Sequence, residues 1–183
     1  MRVIAGKQGG LALKAVPGRE TRPTTDKVKE AIFNMIGPFF EGGACLDLYA
    51  GSGGLGIEAL SRGMDTCVFV DQQKQAVATI HSNLQFLRLV EVSSVYRNEA
   101  KRALKALTKR EACFGVIFLD PPYAKQELAT LLSSIGSHGL LGQDGVVVCE
   151  HHAQVDLADA IAGLTKIRAE AYGDTGISLF QRV

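Results

Sequence analysis

The 183-residue chain has no uninterrupted apolar run near the roughly 18 residues that a membrane-crossing helix needs. No apolar h-region follows the opening Met1-Arg2-Val3-Ile4-Ala5-Gly6, so no secretory signal peptide is expected. Cys45, Cys67, Cys113 and Cys149 include no C-x-x-C pair, and each lies in a short apolar run that reads as a strand. Such spacing argues against a zinc site or a disulfide framework and predicts buried, reduced, structural thiols. His81, His138, His151 and His152 have no metal-ligand spacing with any cysteine, so no metal is expected. The expectation is a soluble, cytoplasmic monomer with no membrane partner.

Composition is that of an ordinary globular protein, 46% apolar and 21% charged, and the length suits one structural domain rather than two. Net charge is only +1, but it is unevenly spread. Residues 1–40 hold seven basic side chains (Arg2, Lys7, Lys14, Arg19, Arg22, Lys27 and Lys29) against Glu20, Asp26 and Glu30. The remaining 143 residues carry 13 basic and 16 acidic groups. A positive arm on a slightly negative body suits a polyanion-binding surface, although a solvated segment can be basic for no functional reason. The chain therefore divides into an extension, 1–40, and a core, 41–183.

From about residue 44 short apolar runs alternate with helical patterns. Ala44–Ala50, Thr66–Asp71, Val92–Arg97, Phe114–Asp120 and Gly145–Glu150 read as strands bounded by Gly, Asp or Asn. Gly54–Arg62, Gln73–Leu87, Glu99–Thr108 and Lys125–Ser137 read as helices, with apolar spacing such as Val77, Ile80, Leu84 and Leu87. That alternation implies right-handed crossovers and a parallel sheet. A short helix is expected over Val155–Ala162, then two strands, Thr165–Tyr172 and Ile177–Arg182, joined by a turn at Gly173-Asp174-Thr175-Gly176. These would bring the sheet to seven strands. Upstream, Arg2–Ala5 and Leu11–Lys14 predict a small hairpin. A helix follows from near Thr24 or Thr25, with Val28, Ile32, Met35, Ile36 and Phe39 on one face.

Two motifs carry chemistry. In the first, Asp47-Leu48-Tyr49-Ala50-Gly51-Ser52-Gly53-Gly54-Leu55-Gly56 ends a strand, turns on glycines and opens a helix. Gly51-x-Gly53-x-x-Gly56 permits a tight turn and close approach of backbone to a ligand, and Asp71, 20 residues past Gly51, can accept hydrogen bonds from ribose hydroxyls. The glycine pattern alone fits dinucleotide oxidoreductases equally well, or a turn with no ligand at all. Asp47 decides between them, because a carboxylate there opposes a pyrophosphate but suits the ammonium of a methionine moiety. Glu99, after the third strand, can reach an adenine amino group. Three carboxylates fit S-adenosylmethionine and fit NAD poorly.

In the second, Asp120-Pro121-Pro122-Tyr123 follows the fourth strand, at the sheet edge where doubly wound folds bind ligands. Neither proline has an N–H, so the segment offers acceptors only. Such a clamp suits an amino group with two hydrogens. An exocyclic base amine is a poor nucleophile because its lone pair is delocalised into the ring. Accepting both hydrogens, from an Asp120 oxygen and the Pro121 carbonyl, favours a pyramidal nitrogen, and Tyr123 offers a ring on which a base can stack. A Pro-Pro turn that merely ends a strand is the competing account, but it leaves the order of the two motifs unexplained.

With both motifs the chain resembles the bacterial RsmD-like family, which methylates guanine N2 in small-subunit ribosomal RNA. The resemblance runs nearly end to end, through Arg2–Lys7, Thr21–Asn34, the glycine turn, Asp120–Tyr123 and Tyr172–Thr175. It implies a seven-stranded, class I, Rossmann-like α/β methyltransferase fold with an N-terminal hairpin and helix extension that helps hold RNA. It also implies cofactor contacts at Asp47, Gly51, Ser52, Gly53, Gly56, Asp71 and Glu99, and a guanine held by Asp120, Pro121, Pro122 and Tyr123. Arg2, Lys7, Arg22, Thr24 and Lys27 would face RNA, and the partner would be small-subunit rRNA or the 30S particle. Gln8-Gly9-Gly10 departs from the more basic hairpin expected. The cluster Arg97, Lys101, Arg102, Lys105, Lys109 and Arg110 reads as a solvated helix face rather than an RNA surface. Other readings are an adenine-N6 DNA methyltransferase, disfavoured because no segment is long enough for a target-recognition domain, and a non-catalytic assembly factor, which would have no need of Asp120.

Overall fold

The computed structural model describes residues 1–18, 24–122 and 124–183, and of residues 124 and 125 the backbone alone. The chain forms two compact units, Met1–Ala100 and Lys101–Val183.

In the first unit, β1 (Ala44–Asp47), β2 (Thr66–Asp71) and β3 (Ser93–Arg97) pair in parallel in the order β3-β2-β1. Cys45, Leu46, Cys67, Phe69 and Val70 are all buried, the continuous apolar pattern of strands covered on both faces. Helix α2 (Gly54–Ser61) follows β1, and α3 (Lys74–Leu87) follows β2. Helix α1 (Asp26–Ile36) starts where Thr25 caps it, its side chain accepting from the Val28 N–H at 3.2 Å. Val28, Ile32 and Phe33 are buried, but Phe39 is 63% exposed. The helix stops at Gly37 (φ 111°), so Phe39 leaves the face its spacing predicted.

The second unit has the strand order β4-β5-β8-β7-β6, formed by β4 (Phe114–Leu119), β5 (Leu141–His152), β6 (Ala160–Ile161), β7 (Leu164–Tyr172) and β8 (Thr175–Arg182). β4 and β5 are parallel and the remaining pairs antiparallel. Helix α4 (Ala100–Lys109) buries Ala103, Leu104 and Leu107, and α5 (Ala124–Ser137) buries Leu128, Leu131, Leu132 and Ile135. The basic side chains Lys101, Arg102, Lys105, Lys109 and Arg110 are exposed.

Four expectations need correction. The described strands number eight rather than seven, because the predicted helix over 155–162 does not form. Lys166 organises that stretch instead: its ammonium donates to the Leu157 carbonyl at 2.7 Å and lies 3.1 Å from an Asp159 carboxylate oxygen. Its N–H bonds the Asp159 carbonyl, and β6 then turns into β7 through Ala162 and Gly163, both at positive φ (48° and 83°). The N-terminal hairpin reduces to one bridge, Arg2 to Ala12, supported by Val3 N–H to Leu11 at 2.9 Å and Gly10 N–H to Val3 at 2.8 Å. Cys113 precedes β4 and is exposed, whereas the other three cysteines are buried. Lys29, counted in the basic arm, is 1% exposed and unavailable to a polyanion.

Lys29 instead meets Glu58, a carboxylate on α2 with no exposed surface. Glu58 accepts from the N–H groups of Ile4 (2.9 Å) and Ala5 (3.0 Å) and from Arg62 Nε (2.8 Å). Lys29 Nζ lies 3.4 Å from its Oε2 and donates to the Arg2 carbonyl. Burial pushes the Lys29 ammonium below its ordinary range, and Glu58 opposes that shift. Arg62 donates to the Pro38 carbonyl at 3.0 Å and stacks 4.8 Å over the Phe33 ring. The arm also crosses the end of α2 closely. Lys7 and Gln8 donate to the Ser61 carbonyl and hydroxyl, and a Cβ on Gly6 would lie 1.9 Å from the Ser61 carbonyl oxygen.

Removing one partner of a buried ionic cluster strands the others, at a cost of about 3–5 kcal/mol. Glu58→Ala is therefore expected to lower unfolding stability by about that amount, read as a shifted urea midpoint. A surface change such as Lys105→Ala should move the midpoint by no more than about 0.5 kcal/mol.

Candidate cofactor cradle and acceptor clamp

The glycine turn leaves β1 at Asp47. Ala50 N–H bonds the Val70 carbonyl at 2.9 Å, and Gly53 N–H bonds the Ala50 carbonyl at 2.7 Å, closing the turn. Gly51 (φ 57°) and Gly53 (φ 87°) occupy left-handed backbone that favours glycine, and Gly53 caps α2. Gly56 is required for a different reason. A Cβ there would lie 2.4 Å from the Phe69 ring and 2.8 Å from Cys67 Sγ, so only glycine lets α2 approach β2 this closely.

Two carboxylates staple the turn. Asp47 is 3% exposed and accepts the Gly56 N–H through Oδ2 at 2.9 Å. Asp71 is 5% exposed and accepts the Gly51 N–H through Oδ2 and the Gln73 N–H through Oδ1, both at 2.9 Å. The sequence points to these carboxylates as ligand groups but gives no sign of these backbone bonds. Asn98 N–H bonds the Asp71 carbonyl at 3.2 Å, and the Asn98 side chain accepts the Glu99 N–H at 2.8 Å. Asp47, Gly51, Ser52, Gly53, Gly56, Asp71 and Glu99 thus gather at the carboxyl ends of three adjacent parallel strands. The carboxylates of Asp47, Asp71 and Glu99 make this a set of acceptors, which suits an ammonium and hydroxyls rather than phosphates.

In the second unit Asp120, Pro121 and Pro122 follow β4 at its carboxyl end, Asp120 exposed and Pro121 buried. Leu119 pairs with Cys149, so Asp120 comes off the strand beside the end of β5. Tyr123 lies outside the described residues, as does Arg22. Of the arm residues, Arg2, Lys7 and Lys27 are exposed and Thr24 is half-buried. Arg2 lies 3.3 Å from an Asp26 carboxylate oxygen. Sequence reasoning missed Glu58 and Asn83. Glu58 had a signal, as a lone charge inside the otherwise apolar helix Gly54–Ser61.

The family described as Conserved hypothetical protein 95 matches residues 1–181. The chain belongs to that RsmD-like family. Among curated proteins a Bacillus subtilis relative named "Putative rRNA methyltransferase YlbH" is 54% identical over 182 residues, covering 100% of this chain and 99% of that one. Ribosomal RNA small subunit methyltransferase D of Escherichia coli is 28% identical over 182 residues, covering 100% and 90%. A conserved protein of Streptococcus pyogenes has a solved structure that superposes with a TM-score of 0.80 at 40% identity, covering 85% of this chain and 96% of that one. The solved Escherichia coli protein yhhF superposes at 0.83 with 28% identity, covering 100% and 97%. This RsmD-like chain is an S-adenosylmethionine-dependent methyltransferase of class I, Rossmann-like fold.

The Gly56 contact gives a direct test. Gly56→Ala must push α2 off Phe69, costing about 1–3 kcal/mol. In calorimetric titration, S-adenosylhomocysteine should bind it at least about tenfold more weakly than wild type.

Proposed function

We propose that this chain methylates the exocyclic N2 of a guanine in small-subunit ribosomal RNA, with Asp120–Tyr123 holding the amine. The observation that carries the reading is the acceptor-only segment Asp120-Pro121-Pro122, which directly follows β4 in a chain related over its whole length to a curated small-subunit rRNA methyltransferase.

Bound S-adenosylmethionine supplies a sulfonium methyl group as the electrophile. Asp47 pairs with its ammonium, Asp71 accepts from the ribose hydroxyls, Glu99 accepts from the adenine amine, and the backbone of Gly51, Ser52, Gly53 and Gly56 lines its edge. On the acceptor side, an Asp120 carboxylate oxygen and the Pro121 carbonyl each take one amine hydrogen. Two such bonds draw the nitrogen lone pair out of conjugation with the ring and fix its direction. The residues therefore contribute mainly alignment and exclusion of water. Pro122 stiffens the segment, Tyr123 stacks on the guanine, and the nitrogen's proton passes to Asp120 or to water. Arg2, Lys7, Arg22, Thr24 and Lys27 hold RNA phosphates along the arm, so residues 1–40 act as the RNA-binding extension of the core.

Asp120→Ala should lose turnover by about 100-fold or more while binding S-adenosylhomocysteine like wild type. Near-normal turnover removes Asp120 from the chemistry. The substrate is tested with cofactor labelled in its methyl group, offered with small subunits lacking the modification, naked ribosomal RNA, or duplex DNA. Label on guanine N2 of ribosomal RNA, free or in the particle, is the expected result. Label confined to DNA refutes the substrate, and absence of label despite cofactor binding makes the chain an assembly factor.

A further inference from the structure

Asn83 belongs to neither motif, yet its side chain is the junction between the N-terminal arm and the glycine turn. It lies on α3 and is 1% exposed. Its Oδ1 accepts the Lys14 N–H at 2.9 Å, and its Nδ2 donates to the Lys14 carbonyl at 3.1 Å and to the Ser52 carbonyl at 2.9 Å. One amide thus pairs with both backbone groups of Lys14, as a neighbouring strand would, and uses its remaining hydrogen on the turn. Both amide hydrogens are committed.

The Ser52 carbonyl needs such a partner. It sits between Gly51 and Gly53, whose backbones have little intrinsic preference about their torsions. The other bonds described within the turn fix N–H groups of Ala50, Gly51 and Gly53. They hold the peptide plane that follows Ser52 only at its Gly53 N–H end, and Asn83 supplies the bond at its Ser52 carbonyl end. A rotation of that plane would swing a carbonyl dipole toward the ligand side and turn the Gly53 N–H out of the Ala50 bond. The arm holds Asn83 in turn, because the Lys14 pairing fixes which way the amide faces.

We propose that Asn83 is a positioning residue for cofactor binding, holding the glycine turn in its ligand-accepting shape and making that shape depend on the arm at Lys14. This rests on the reading that residues 51–56 hold the cofactor. Asn83 touches no reacting atom, so its effect appears in cofactor affinity and not in the chemical step.

A residue that merely fills space gives a pH-independent defect, and this distinction supplies the test. Ionised aspartate at position 83 can still accept from the Lys14 N–H but has no hydrogen for the Lys14 and Ser52 carbonyls, whereas protonated aspartate has one, which restores part of the junction. Burial between two carbonyls raises the pH at which that proton is held. S-adenosylhomocysteine is titrated into full-length wild type, Asn83→Asp, Asn83→Ala and Asp71→Ala between about pH 8 and about pH 5.5, below each melting temperature. Near pH 8 both Asn83 variants should bind about tenfold more weakly than wild type, the loss expected for one unsatisfied buried carbonyl. The deficit of Asn83→Asp should shrink several-fold toward low pH, while that of Asn83→Ala stays constant relative to wild type. Wild-type affinity in Asn83→Ala, or a flat profile in Asn83→Asp, overturns the proposal. If Asp71→Ala also binds normally, the reading of the turn has failed as well. If Asp71→Ala alone loses affinity, that reading stands and only the role of Asn83 is lost. Should Asn83→Asp not fold, steady-state kinetics of Asn83→Ala decide instead. A raised cofactor KM with kcat retained at saturating cofactor supports the positioning role, and an equal fall in kcat overturns it.

Discussion

The Glu58 carboxylate, fully buried on the helix that opens at the glycine turn, is the constraint on which the first unit depends. An isolated charge there would be far too costly, so the folded unit keeps all its partners together. Those partners come from three separate stretches: the N–H groups of Ile4 and Ala5, the ammonium of Lys29 on α1, and the guanidinium of Arg62 after α2. Residues 2–8, α1 and α2 are consequently built as a piece.

The same economy recurs at the strand ends. Asp47 and Asp71 each spend an oxygen on a backbone N–H of the glycine turn, so a charge that would suit a ligand also shapes the loop. This couples selectivity to architecture. Substituting either carboxylate to admit a phosphate-bearing cofactor would release Gly56 or Gly51 from its staple and alter the turn itself. An acidic residue at these positions is therefore harder to exchange than the proposed ligand contact alone implies.

Much of this was legible in the sequence, for physical reasons that vary from element to element. Strand Thr66–Asp71 was read to the residue because a continuous apolar run between polar ends has few other readings. The helix start, read as Thr24 or Thr25, and the glycine turn were legible because local backbone chemistry sets them. Two errors and one omission share one cause, a long-range partner that the local pattern does not contain. Residues 155–162 have acceptable helical spacing, but Lys166 draws Asp159 and the Leu157 carbonyl into another shape. Lys29 looked like arm charge and is consumed by Glu58. Asn83 carries no local signal, and only the arm crossing α3 reveals its three bonds. The proposed acceptor clamp rests on its motif alone, because proline and aspartate state their hydrogen-bonding capacity in their covalent structure.

Cys113 stands apart from the other thiols. Burial pushes the thiols of Cys67 and Cys149 above their ordinary range, and Cys45 is buried in β1, out of reach of a reagent. Cys113 lies in the open just ahead of β4, seven residues before Asp120, about 23 Å along an extended strand. A maleimide dye added to the unmodified chain would therefore attach at one defined point, far enough from the β4 carboxyl end to leave it unobstructed and close enough for fluorescence to report what docks there.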